Sequence, residues 1–225
     1  TASAIANEIT APVLAMELLL GQLEERLAGA PALAEAADQA RTLIALARRI
    51  GATARGVRQV AGAAAADARV AVPLGELVDA VSALAATRAR PLGIELAFEL
   101  ADRDARVLAR TGATAGILLD LLDNAIHAMT ARPVGARWIR LSARVAGTRA
   151  VLAVADAGRI DAPETRRRLF EPFYTTKPLG QGTGVGLCVS RRLAAQDGGR
   201  LWFDAEADHT RFVLELPLAA AGAAP

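Results

Sequence analysis

The sequence holds one cysteine, Cys188, and one lysine, Lys177, and lacks any apolar run long enough to cross a bilayer. A lone thiol excludes an internal disulfide and fits a reducing compartment. The longest apolar stretch near the start, Ala11 to Met16 and Leu18 to Leu20, is broken by Glu17. It falls far short of the about 20 residues that a spanning helix needs. A basic leader is lacking as well, so no export signal is expected. The expected location is the cytoplasm, or the cytoplasmic face of a membrane within a longer protein, with no direct membrane contact by this stretch. Net charge is scarce too: 26 basic residues face 24 acidic ones, for a formal +2. The pI of 9.3 reflects arginine chemistry more than a charged face, and no nucleic-acid footprint is visible. What is present is apolar bulk, 53% of 225 residues, which argues against disorder and suffices for a small domain plus a medium one.

From Ile5 the apolar positions Ile9, Val13, Met16, Leu20, Leu23 and Leu27 follow at intervals of three and four, the seam of a helix that packs on other helices. Gly29 to Pro31 end it, and a second helical pattern runs from Leu33 through Leu43 and Ile50 to Val60. A hairpin of this length cannot bury its own seam, so a second copy is the simplest cover, giving a four-helix bundle in a homodimer. The expected organisation is a helical hairpin over 1–66, a small-residue linker over 67–72, a second domain over 73–218 and a frayed tail over 219–225. In the second domain, helices are expected at Pro73 to Ala86, Thr111 to Met129 and Val185 to Ala195. Strands are expected at Ile94 to Leu100, Trp138 to Val145, Ala150 to Ala155, Leu201 to Asp204 and Phe212 to Leu216. Interleaved helices and hairpins predict an α+β domain whose sheet is mixed, not doubly wound and parallel.

Three local patterns carry chemistry. Gly180, Gly182, Gly184 and Gly186 alternate into the helix-forming Leu187-Cys188-Val189, leaving bare N–H groups at a helix start where a polyanion can settle. On the helix from Thr111 to Met129, Asp120 and Asn124 share one face because they are four apart, while Leu118, Leu121, Leu122 and Ala125 form the core side. A polar pair beside so many leucines needs partners; magnesium, which keeps several waters and favours hard oxygens, is one that a single carboxamide and substrate phosphates can hold. Finally, the strand ending at Ala155 runs into Asp156-Ala157-Gly158. A carboxylate there can accept a hydrogen bond from a flat amino-bearing ring, and a glycine beside it lets the ring approach.

Together with Phe170-Glu171-Pro172-Phe173-Tyr174-Thr175-Thr176-Lys177, these blocks resemble the sensor histidine kinases and, more widely, the ATPase superfamily of gyrase B, MutL and the heat-shock chaperone ATPases. The order is that of the family: N box at Asn124, first glycine box at Asp156 and Gly158, F box at Phe170 to Phe173, second glycine box from Gly182 to Gly186. The resemblance implies an α/β-sandwich ATP-binding domain with helices on one face of a mixed sheet, following the hairpin. It implies ATP and Mg2+ as ligands, with Asn124 on the metal and Asp156 on the adenine amino group. The implied nucleotide set is Asn124, His127, Asp156, Gly158, Thr176, Lys177, Gly180, Gly182, Thr183, Gly184, Val185, Gly186 and Leu187, with Lys177 to Gly186 a mobile lid. For His127, Lys177 and Thr183, bland roles compete: a helix-end imidazole satisfied by carbonyls, a solvated lysine, a helix cap. Cys188, Trp138 and Trp202 read as core packing, and Phe170, Phe173 and Tyr174 as anchors of the lid base.

The hairpin segment Ser3 to Leu14 resembles the H box of the same family, but Asn7 stands where the phosphate-accepting histidine belongs, followed by the retained Glu8 and Pro12. A carboxamide nitrogen has its lone pair tied into resonance, so Asn7 cannot take a phosphoryl group. Two explanations stay open, an introduced change and a natural pseudokinase. The resemblance implies a response-regulator receiver domain as partner once histidine is restored. Ala11 stands where phosphatase-active members carry threonine or asparagine, and Ile160 where the first box has its second glycine. Asp120 opens a third reading, a gyrase-like hydrolase in which it activates water, against a supporting role at the metal.

Overall fold

A computed structural model describes residues 68–177 and 184–219. The stretch 1–66, where a helical hairpin is expected, lies outside them with Asn7 and Glu8, as do Gly180, Gly182, Thr183 and residues 220–225. The chain divides into two compact units: 66–170 with 187–225, and 1–65 with 171–186.

The first unit is built from seven strands and four helices in the order β1 Val70–Pro73, α1 Leu74–Ala89, β2 Glu95–Leu100, β3 Arg106–Ala109, α2 Thr111–Thr130, β4 Trp138–Ala146, β5 Arg149–Asp156, α3 Pro163–Arg168, α4 Gly186–Gln196, β6 Arg200–Phe203 and β7 Thr210–Pro217. The first residue of α4 belongs to the other unit. Five strands form one sheet in the order β2-β4-β5-β7-β6, in which β2 runs parallel to β4 and the other pairs are antiparallel. The mixed sheet is the one anticipated. Its central strand is β5, so the residue that ends β5 has strands on both sides.

Alternation decides which face is covered. On β4, Ile139, Leu141 and Ala143 are buried while Arg140 and Arg144 are exposed, and the same parity runs across β5 and β7 through Leu152, Val154, Phe212 and Leu214. Helix α2 supplies the other half of the core with Ile117, Leu118, Leu121, Leu122, Ala125 and Met129, each at most 3% exposed. Spacings of three and four place them on one stripe, as the sequence predicts. Trp138 and Trp202, expected in the core, stand half-buried on the other face of the sheet. Trp138 meets His209 edge to face at 5.0 Å, and Arg140 lies 5.7 Å from its ring centre. Their strands were read correctly, but a one-residue step in parity separates core from surface.

Three other features depart from expectation. Val70–Pro73, in large part assigned to a linker by its small residues, is a strand that pairs with the unanticipated β3 in a separate ribbon. Helix α1 then starts at Leu74 and runs to Ala89, with Pro73 just ahead of it, where a missing N–H costs nothing. Ala219, read as the start of a frayed tail, donates its N–H to the Arg106 carbonyl at 2.8 Å. Helix α3, six residues opened by Pro163, was too short to leave a periodic signal.

Both ends of α2 are tied down. At its start the buried Asp197 carboxylate accepts Arg110 Nε–H at 2.8 Å and the Arg110 backbone N–H at 3.3 Å, while Arg110 Nη2 donates to Gln196 Oε1 at 3.0 Å. An anion beside a helix N-terminus also meets the favourable end of the helix dipole. Beyond the other end, Arg137 donates to the carbonyls of Leu92, Arg132 and Thr130 at 2.6, 2.7 and 3.4 Å. Those are groups that a helix end and its following turn leave without partners. Asp197 is 0% exposed and Arg110 8%, so removing one partner strands the other charge away from water. Asp197→Ala is therefore expected to lower the unfolding free energy by about 3–5 kcal/mol, read from urea denaturation followed by circular dichroism.

Candidate nucleotide site

Asp156 is the last residue of β5, opposite Ile139 of β4 and Thr210 of β7. Only 4% of it is exposed. Its Oδ1 accepts the Gly158 N–H at 2.7 Å, and the Gly158 carbonyl in turn accepts the Thr210 N–H at 2.8 Å. Ala157 N–H donates to the Trp138 carbonyl at 3.2 Å, which closes the turn from the other side. A Cβ at position 158 would sit 2.6 Å from Asp156 Oδ1 and 3.3 Å from Thr210 Oγ1. Glycine is required here because the carboxylate itself occupies the space a side chain would take.

Burial dominates the electrostatics of this group. Desolvation pushes the Asp156 carboxyl up from 3.8 to about 6, against the Gly158 N–H and the charges of Arg132 and His209, which favour the ionised form. The sign for stability follows from a raised value. The contribution is present in full below the ordinary carboxylate range and is lost as pH rises through about 6. Above that pH the buried Asp156 carboxylate is a desolvated anion with acceptor capacity beyond its bond from the Gly158 N–H. A group that donates a hydrogen bond, such as an amino group, could occupy that capacity.

Helix α2 packs on β4 and β5. It carries Asp120, Asn124 and His127, all half-buried, at spacings of four and three that keep them on one stripe. The buried Ser190 hydroxyl on α4 donates to Asp120 Oδ2 at 2.9 Å, so the two helices meet at this polar stripe. Asp123, one residue off the stripe, is exposed and pairs instead with Arg88. Among the described residues no group of three or more His, Cys, Asp or Glu side chains is placed to hold a metal ion. A cation on Asn124 would therefore draw most of its ligands from phosphate and water, which suits magnesium.

In the other unit the described residues are 171–177 and 184–186. Phe173 has φ 66° and its N–H donates to the Gly184 carbonyl at 2.8 Å. A Cβ on Gly184, itself at φ 64°, would fall 2.4 Å from Phe173 C and 2.7 Å from Tyr174 N. The third glycine of the alternating run thus lets two backbone segments touch. Lys177 N–H donates to Thr175 Oγ1 at 3.1 Å. Phe173, read as an anchor of the lid base, is 56% exposed. Phe170, in the first unit, does pack, with Phe212 at 6.2 Å and the Arg191 guanidinium at 4.7 Å.

Sequence reasoning missed Thr210, Arg132, His209 and Ser190. Each reaches its partner across the sheet register or between helices. The only local hint was the threonine opening the last strand after a polar turn.

Residues 113–220 match the family described as histidine kinase-, DNA gyrase B- and HSP90-like ATPase. The sensor protein FixL of Bradyrhizobium diazoefficiens is 30% identical over 211 residues, 92% of this chain and 40% of that protein. The nucleotide-free catalytic domain of the histidine kinase ThkA superposes with a TM-score of 0.59 at 29% identity, covering 66% of this chain and 95% of that one. Full-length ShkA in complex with AMPPNP superposes at 0.66 with 28% identity, over 100% of this chain and 46% of that one. The chain spans less than half the length of the curated relatives it matches. With Asp156 and Gly158 built into the end of the central strand, the stretch that matches this family model runs from α2 past β7, and there the chain is similar to the catalytic domain of the histidine kinase ThkA.

Proposed function

We propose that this chain is the catalytic core of a two-component sensor histidine kinase, in a form whose phosphoacceptor position holds Asn7. The observation that carries the nucleotide half of this reading is the buried Asp156 carboxylate with Gly158 against it. Asp156 accepts the N6 amino group of adenine. Thr210, opposite it and buried, is a second polar group at the ring. Asn124 holds Mg2+, which when bound neutralises phosphate charge and orients the γ-phosphoryl group. His127 lies one turn further along α2, where an imidazole can donate to phosphate oxygens. Thr176, Lys177 and the glycine run through Leu187 supply the phosphate loop, with backbone N–H groups as donors.

Histidine at position 7 would attack the γ-phosphorus through a ring nitrogen, forming an N–P bond as the bond to the ADP oxygen breaks. Glu8 would orient that imidazole or take its proton. The phosphoryl group would then pass to an aspartate of a response-regulator receiver domain, and the hairpin would dimerise the protein. Asn7 cannot form the N–P bond, so the chain as it stands binds nucleotide without phosphorylating itself. Asp120, held by Ser190, acts in support of the Asn124 stripe.

Isothermal titration tests the nucleotide half. ATP with magnesium is expected to bind, and Asp156→Asn to weaken it by about tenfold to a hundredfold, the loss of a charge-assisted hydrogen bond. The same substitution is expected to raise the unfolding free energy of the unliganded protein by about 1–3 kcal/mol at neutral pH, because it removes a desolvated charge. Weaker binding with higher stability in one variant separates a site residue from a structural one. For the catalytic half, Asn7→His with radiolabelled ATP is expected to yield acid-labile label on the protein. Its absence in a variant that still binds ATP would favour a scaffold that signals through nucleotide-dependent shape.

A further inference from the structure

The turn Asp156-Ala157-Gly158 has little side chain with which to hold itself. Gly158 has none, and Ala157 brings a single methyl group. Its backbone is tied to a strand on each side, the Ala157 N–H donating to the Trp138 carbonyl at 3.2 Å and the Gly158 carbonyl accepting the Thr210 N–H at 2.8 Å. Two rings close over it as well. The register that sets Ile139 and Thr210 opposite Asp156 brings Trp138 and His209, one step beyond that pairing, to the two sides of Ala157. Across that small residue the rings meet edge to face, with centroids 5.0 Å apart and planes at 89°, and Ala157 is left 8% exposed. Alternation puts Asp156 on the helix-covered face and Ala157 on the other, so the ring pair stands behind the carboxylate. Arg140 flanks Trp138 at 5.7 Å from its ring centre and pairs with Glu99 at 2.9 Å. The turn that delivers His209 is exposed at Ala205, Glu206 and Asp208, and the ring contact gives it a hold on β4.

We infer that Trp138 and His209 are positioning residues of the nucleotide site: their contact across Ala157 braces, from the far face of the sheet, the turn that presents Asp156 and Gly158 to the adenine ring. This inference rests on the adenine reading given above. A hydrogen bond weakens steeply as its angle closes, so the bond from an amino group to Asp156 depends on where the carboxylate is aimed. The Asp156 side chain and the Ala157 methyl leave adjacent Cα atoms toward opposite faces, and a tilt of the backbone between them moves both. With the rings in place behind Ala157, that tilt meets close-packed atoms. Without them the turn can rock, and the carboxylate leaves the line of the amino group. Neither ring needs to touch the nucleotide. The alanine is part of the arrangement, because a longer side chain at 157 would part the rings.

The test measures ATP and ITP affinity with magnesium by isothermal titration. ITP carries a carbonyl where ATP carries the amino group, so it forgoes the bond to Asp156 and reports on the rest of the site. Trp138→Ala and His209→Ala are each expected to weaken ATP about threefold to tenfold, the scale of an edge-to-face ring pair, and to weaken ITP by no more than about twofold. The double variant should lose no more than either single one, because each removes the same contact. His209 is exposed, so its variants keep the fold. His209→Phe should restore ATP affinity, which separates ring packing from imidazole charge, and Ala157→Leu should reproduce the loss with both rings present. Losses that add in the double variant, equal weakening of ATP and ITP, unchanged ATP affinity throughout, or no restoration by His209→Phe would each overturn the inference while leaving the nucleotide site in place. A wild-type chain that binds no ATP would overturn the adenine reading, and this inference with it.

Discussion

The Asp197 carboxylate lies fully out of water, and Arg110 brings it two donors, a guanidinium and a backbone N–H. Arg110 joins the end of β3 to the first turn of α2, and Asp197 directly follows α4. One charge pair therefore fixes the start of the helix that carries Asn124 against the end of the helix that follows the glycine run. An apolar contact could supply similar adhesion, but it would tolerate sliding by a fraction of a turn. A two-point hydrogen-bonded pair does not, because any slide leaves a buried charge unmatched. At the opposite end, Arg137 fixes the exit of α2 to the single turn Arg90–Leu92 before β2 and to the loop carrying Arg132. Helix α2 is thus located by polar contacts at both ends and by leucine packing between them, and its polar stripe inherits that placement.

Asp156 stands in the opposite energetic situation. Asp197 is buried and matched by a guanidinium; Asp156 is buried and accepts a hydrogen bond from a backbone amide, that of Gly158. The contrast separates a carboxylate that holds the fold from one that the fold holds for something else. A buried acid with a raised pKa is a candidate functional group, and under the proposed function Gly158 and Thr210 stand beside it. Under the proposed function, stability and binding pull apart at this position.

How much of this was legible depended on distance along the chain. Helix α2, strands β4 and β5 and the Asp156–Gly158 turn are local patterns, and each stood in the sequence as alternation, as leucine spacing or as a carboxylate two residues before a glycine. Thr210 and Arg132 were not legible, because their relation to Asp156 is set by register between β5 and β7 and by where α2 ends. The ribbon of β1 and β3 escaped because two four-residue strands of small residues carry almost no periodic signal. Trp138 and Trp202 were misplaced for another reason: alternation reveals two faces but not which of them receives the helices. The residues that carry the hydrophobic argument for a dimer, and position 7 itself, lie outside the described segments.

The contact between Phe173 and Gly184 has a bearing on how this chain can change over evolutionary time. Because the N–H of one meets the carbonyl of the other, the intervening stretch starts and finishes at a common point. The entropy of closing such a segment grows only with the logarithm of its length, about 0.6 kcal/mol for each doubling. Insertions and deletions between these two positions are therefore cheap, provided that the second remains a residue without a Cβ. Divergence in length among related chains should concentrate there, bounded by the backbone of position 173 on one side and a fixed glycine on the other.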